Sequence, residues 1–98
     1  MHSFLLVQSP DGYKTFINLA GVSDAWYGNA ANAPQEIASK IKDRNNFFIV
    51  YTKQVLGETR YQNFFWWQGM DADIVQAEFQ KALRQQQPLH PVILPAED

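Results

Sequence analysis

The sequence predicts an α+β fold: a mostly antiparallel sheet of four to five strands with two helices on one face. Three observations carry this. Two pairs of aromatic and β-branched runs are each joined by a turn, a stretch with helical spacing follows each pair, and the 98 residues match one ordinary domain in length. The expected order is ββαββα, followed by an extended segment over 88–98, all within a single domain spanning residues 1–98. With 46% apolar residues, a chain of this length buries roughly 60 to 70% of its unfolded surface and folds without metals or disulfides.

The first hairpin is read at 4–8 and 13–19, around Ser9-Pro10-Asp11-Gly12. Pro10 presets φ for the first turn position and Gly12 tolerates a positive φ. Residues 20–33, with two glycines and no sustained periodicity, read as a long loop that carries Trp26 and Tyr27. A short helix is expected next. Asn32 would cap it, Pro34 would sit in its first turn, and Ile37 and Ile41 would share one face before it stops near 43–46. The second hairpin comprises 47–52 and 60–67, turning at Leu56-Gly57-Glu58. Asp71 or Asp73 opens a longer helix, in which Val75, Phe79, Ala82 and Leu83 form a core-facing stripe. Three prolines around Val92-Ile93-Leu94 make 88–98 an extended tail, a possible edge strand.

Absent cysteines remove disulfide frameworks, Cys-based zinc sites and thiol nucleophiles, and favour a cytoplasmic setting. The N-terminal apolar run is too short for a signal peptide or a membrane span, so no membrane association is expected. Net charge is -2, distributed unevenly. Between 40 and 60 there are five basic residues (Lys40, Lys42, Arg44, Lys53, Arg60) and two acidic ones (Asp43, Glu58), which makes that stretch +3. Charge splits of this size usually mark a solvated face, and occasionally a binding footprint.

Catalytic chemistry finds little support, and neither catalytic residues, metal nor cofactor are expected. His2 and His90 lie in no nucleophile or metal-ligand pattern and read as exposed bystanders. Asp71 and Asp73, at a helix start, read as cap and dipole partners. The scattered glycines form no phosphate-binding loop.

The sharper signal is aromatic. In the second hairpin, alternation puts Phe47, Ile49 and Tyr51 on one face and Phe48 and Val50 on the other, while Phe64 and Trp66 oppose Phe65 and Trp67. Both faces are apolar, so either the 20–33 loop and the tail cover the second one, or a partner does. The functional expectation is a small non-enzymatic binding module, for a protein partner or for a second copy, with Trp26, Tyr27, Phe64, Trp66 and Trp67 as contacts. The alternative is single-stranded nucleic-acid binding, in which the sheet aromatics stack on bases while Lys40, Arg44, Lys53 and Arg60 hold phosphates. From residue 13 onward the chain also admits the βαββαβ order of an RNA recognition motif, and Phe16-Ile17-Asn18-Leu19 is faintly similar to its first motif. The glycine-containing third-strand motif is absent from 60–67, and no family is assigned.

Overall fold

A computed structural model describes residues 3–56 and 59–96, with side chains over 3–53 and 63–96. Six strands and two helices follow in the order β1 (Phe4–Gln8), β2 (Lys14–Asn18), β3 (Val22–Asn29), α1 (Gln35–Ala38), β4 (Asn46–Leu56), β5 (Thr59–Gln68), α2 (Met70–Gln85) and β6 (Leu89–Ile93). The fold is α+β, but its strands form two three-stranded sheets, ordered β2-β1-β6 and β3-β4-β5. This corrects the expected single sheet, and the order departs from ββαββα. The physical reason is pairing. The tail pairs with β1 in parallel, Phe4 opposite Leu89 and Gln8 opposite Ile93, while β3 takes the free edge of β4. The second edges of β1 and β4 are thus taken by β6 and β3, and the two hairpins do not join through them.

Both expected hairpins form. Between β1 and β2, Gly12 adopts φ 92°, and the Asp11 carboxylate accepts hydrogen bonds from the Ser9 hydroxyl and from the Tyr13 N–H. In the second, the 56–58 turn reaches residues outside those described. The segment read as a loop is instead an eight-residue strand, β3, in antiparallel register with β4 from Val22 opposite Thr52 to Asn29 opposite Asn46, shifted once between Val22 and Asp24. Glycine at position 28 has a packing reason. A Cβ there would lie 3.2 Å from the Phe47 ring.

The first helix is shorter than expected. Only Gln35–Ala38 is helical, Pro34 rather than Asn32 holds the cap position, and no side chain caps it. The second begins at Met70 after Gly69, whose φ of 64° and ψ of -138° suit only glycine. Asp71 and Asp73 fall in its first turn, where carboxylates complement the helix dipole. Val75, Phe79 and Ala82 are buried as the spacing predicts, whereas Leu83 is exposed.

Two cores result. The inner face of β2-β1-β6 (Leu5, Val7, Ile17, Val92), with Leu94 just beyond β6, packs with Phe48 and Val50 of β4 and with α2. Phe48 lies near-parallel to Trp67 at 6.3 Å and meets Phe79 edge-on at 5.4 Å. The second core lies on the other side of β4, where Phe47, Ile49 and Tyr51 are closed over by Ile37, with Ala33 and Ile41 packed alongside. Each fully buried aliphatic side chain contributes about 1.5 to 3 kcal/mol, so one short helical turn suffices to seal this side.

Candidate functional site

The strand registers decide where the expected contact residues stand. Trp26 lies opposite Ile49, which lies opposite Trp66; Tyr27 lies opposite Phe48, which lies opposite Trp67. Trp66 and Phe64 are partly buried against the Ile37 core, and Trp67 is partly buried against the main one. Both apolar faces of the second hairpin are thus covered largely by the chain itself. One is covered by the segment around α1, and the other by α2 and the first sheet, which the tail completes as β6. Trp26 and Tyr27 remain 54% and 47% exposed, on opposite faces of β3.

Tyr27 is held by polar contacts. Its hydroxyl donates to the Asp73 carboxylate and accepts from the Asn46 side chain at 3.0 Å. The Asp73 carboxylate pushes the phenol above its ordinary pKa. Trp26 meets Tyr51 edge-on, with ring centroids 5.7 Å apart. The Tyr51 hydroxyl donates to Glu36. Burial, followed by the Glu36 hydrogen bond and the charges of Glu36 and Asp24, pushes this phenol up to about 12.

The basic residues do not gather into one footprint. Lys40 and Arg44 precede β4 and Lys53 lies within it, all exposed. Lys53 lies seven residue steps along the strand from Asn46, roughly 23 Å at 3.3 Å per step. Arg60, opposite Val55, lies farther along the same way, and its side chain is outside those described.

Sequence reasoning missed two features. His90 is buried rather than an exposed bystander. Its Nε2 lies 2.6 Å from Glu78 of α2, and its Nδ1 has no hydrogen-bond partner among the described residues. The Glu78 carboxyl is held below its ordinary range, chiefly by this hydrogen bond and further by Lys81. His2 lies outside the described residues. Among those described, no group of three or more His, Asp or Glu residues is placed to hold a metal ion, and no helix is long and apolar enough to cross a membrane.

The larger miss is the outer face of the first sheet. Alternation along β1, β2 and β6 sends Leu5, Val7, Ile17, His90 and Val92 inward. It sends Phe4, Leu6, Phe16, Leu89, Pro91 and Ile93 outward. The cross-strand rows are Phe16 with Leu6 and Pro91, Asn18 with Phe4 and Leu89, and Lys14 with Gln8 and Ile93. Phe16, Leu89 and Ile93 are 57%, 46% and 75% exposed. Of the outward residues of the three strands Lys14, on the edge strand β2, carries a charge, and Lys53 of β4 borders the face in a cleft shared with Phe4 and Phe16. The signal was present in the sequence as apolar residues at both parities of 4–7 and 92–94. Comparisons with protein-family models, with curated proteins and with solved structures gave no significant match.

Proposed function

We propose that this protein is a small non-enzymatic binding module that associates with a second copy of itself through the outer face of the β2-β1-β6 sheet. The observation that carries this reading is the contiguous exposed apolar surface of Phe16, Leu89 and Ile93 around Phe4 and Leu6. Monomers seldom leave such patches open. A flat apolar face with no fixed charge pattern is self-complementary across a two-fold axis, which is the commonest oligomer symmetry. Three strands of five residues give a footprint of roughly 14 by 17 Å. Two such faces, about 240 Å² each in projection, bury on the order of 500 to 1,000 Å² in total once side-chain relief is counted, the low end of interface sizes and that of a weak and reversible dimer. The contact surface therefore moves from the Trp66 and Trp67 hairpin, which the chain largely covers itself, to the first sheet. The cysteine-free composition supports a cytoplasmic setting for it.

Analytical ultracentrifugation tests this reading. Wild type is expected to dimerise with a dissociation constant on the order of 10 to 100 μM. Ile93→Lys, at a position open enough to leave the fold within about 0.5 kcal/mol, is expected to stay monomeric at every concentration. A wild type that remains monomeric at roughly ten times the upper end of that range overturns the proposal. So does a dimer that Ile93→Lys leaves intact. Labelled single-stranded DNA and RNA, titrated in parallel, separate the alternative. Binding that weakens steeply with salt and falls with Lys53→Gln would assign the protein to nucleic acid instead.

A further inference from the structure

Beside the Ile37 core, on the side of the second sheet away from the first, lies a cleft of about 340 Å³ lined by Asp24, Trp26, Pro34, Gln35, Glu36 and Tyr51. Asp24 and Trp26 are two residues apart on β3 and so share a face, with Asp24 opposite Tyr51 in register. Glu36 stands across from them in the first turn of α1, bonded to the Tyr51 hydroxyl. An aromatic pair is therefore flanked by two carboxylates. The ion pairs found among the described residues are Lys81 with Glu78 and His90 with Glu78, and neither carboxylate of the cleft belongs to one. More than half of the Trp26 surface is open to solvent.

Two unpaired negative charges beside indole and phenol rings suit a cation that can shed water against a π-surface. Among the described residues no third His, Asp or Glu stands with these two carboxylates to hold a metal ion. A guanidinium is favoured by a carboxylate with both oxygens free for a bidentate fork. Glu36 has one oxygen engaged by Tyr51, which suits a compact ammonium that needs a single acceptor from each side. We propose that this cleft binds a protonated alkylamine, its ammonium group between Asp24 and Glu36 and its methylene chain against Trp26. The site is independent of the dimer, because it lies on the other sheet.

The shared chemistry has two sources, a lysine side chain and a free amine. The test is a ¹⁵N–¹H titration that follows the indole N–H of Trp26, assigned by its disappearance in Trp26→Phe. The probes are Nα-acetyl-lysine-N-methylamide, n-butylammonium chloride, and the norleucine and arginine counterparts of the capped lysine, all at constant ionic strength. Both amines are expected to give saturable shifts, and the norleucine compound none. Glu36→Gln and Asp24→Asn are each expected to weaken binding about 3- to 10-fold, as for charge-assisted hydrogen bonds at a partly open site. The double variant is expected to lose it, while its spectrum outside the cleft is unchanged. Tighter binding of the capped lysine assigns the site to a peptide side chain, and tighter binding of butylammonium to a free amine; either supports the proposal. Three results would overturn it: no saturable shift with either amine up to about 20 mM, the weak limit of useful affinity; an equal response to norleucine; or tighter binding of arginine than of lysine.

Discussion

The two sheets, one mainly aliphatic and the other rich in aromatic residues, end in different surroundings. Each is three-stranded, and each carries apolar side chains on both faces. In β3-β4-β5, both faces of the central strand are buried, with Phe48 and Val50 turned to the main core and Phe47, Ile49 and Tyr51 closed under Ile37. In β2-β1-β6 only the inner face is buried, and Phe16, Leu89 and Ile93 stay open on the outer one. What separates them is the connection that follows. Between β3 and β4 lie 16 residues, 30–45, enough to fold back over the sheet. Between β1 and β2 lie only five, 9–13, which form a tight turn. A short hairpin loop cannot shelter its own strands, so the apolar outer face of this sheet stays open.

The largest effect that would sharpen this contrast is the loss of the second sheet's cover. Ile37→Ala removes the fully buried side chain that closes that side, and is expected to cost about 2 to 5 kcal/mol in urea unfolding, with new binding of a hydrophobic dye. A cost below about 1 kcal/mol would mean that this face tolerates exposure, and the contrast would fail.

Two titrations then report on the two regions separately. On the second sheet, the Tyr51 phenol is raised to about 12 by burial and by Glu36, against about 10 when unfolded. The folded state keeps this proton longer, so the stabilisation is complete below pH 10 and is lost as pH rises from 10 towards 12. Comparing urea midpoints of wild type and Tyr51→Phe over that window isolates it, with an expected difference of about 1 to 2 kcal/mol. At the seam between β6 and α2, the lowered Glu78 carboxyl acts in the opposite direction. Its contribution is present above the ordinary value of 4.5 and is lost as pH falls through the depressed folded value. Glu78→Gln should flatten the acid limb by about 1 kcal/mol or less, the smallest of the three effects. An identical acid limb in wild type and variant would show that the His90 contact adds nothing.

Much of this arrangement was legible in local chemistry. The Ser9-Pro10-Asp11-Gly12 turn, the period-two runs of the second hairpin, the stripe of Val75, Phe79 and Ala82, and the edge strand in the tail are each specified by residues close in sequence. The strand β3 was not. Asp24, Gly28 and Asn29 carry weak strand preference, and their extended conformation comes from pairing with β4, where Gly28 makes room for Phe47. The choice between one sheet and two was equally invisible, because periodicity says which way a side chain points and not which strand lies beside it. His90 looked isolated because its partner Glu78 lies on another element. The expected contacts divided for the same reason. Trp26 and Tyr27 remain open at an edge strand, whereas Phe64, Trp66 and Trp67 meet residues that fold over them from elsewhere in the chain.

The parallel pairing of β1 with β6 sets an order on assembly. Phe4 lies opposite Leu89, a closure over about 85 residues whose entropic cost is met only after everything between has collapsed. On a ribosome, β1 and β2 emerge first, yet their inner face finds its partners only when α2 and β6 have followed. Until then Leu5, Val7 and Ile17 face water on one side while Phe16 and Leu6 face it on the other. The nascent hairpin is thus apolar on both sides until β6 has been made, and a chain halted before residue 89 would leave it so, with the free edge of β1 open to the strands of its neighbours.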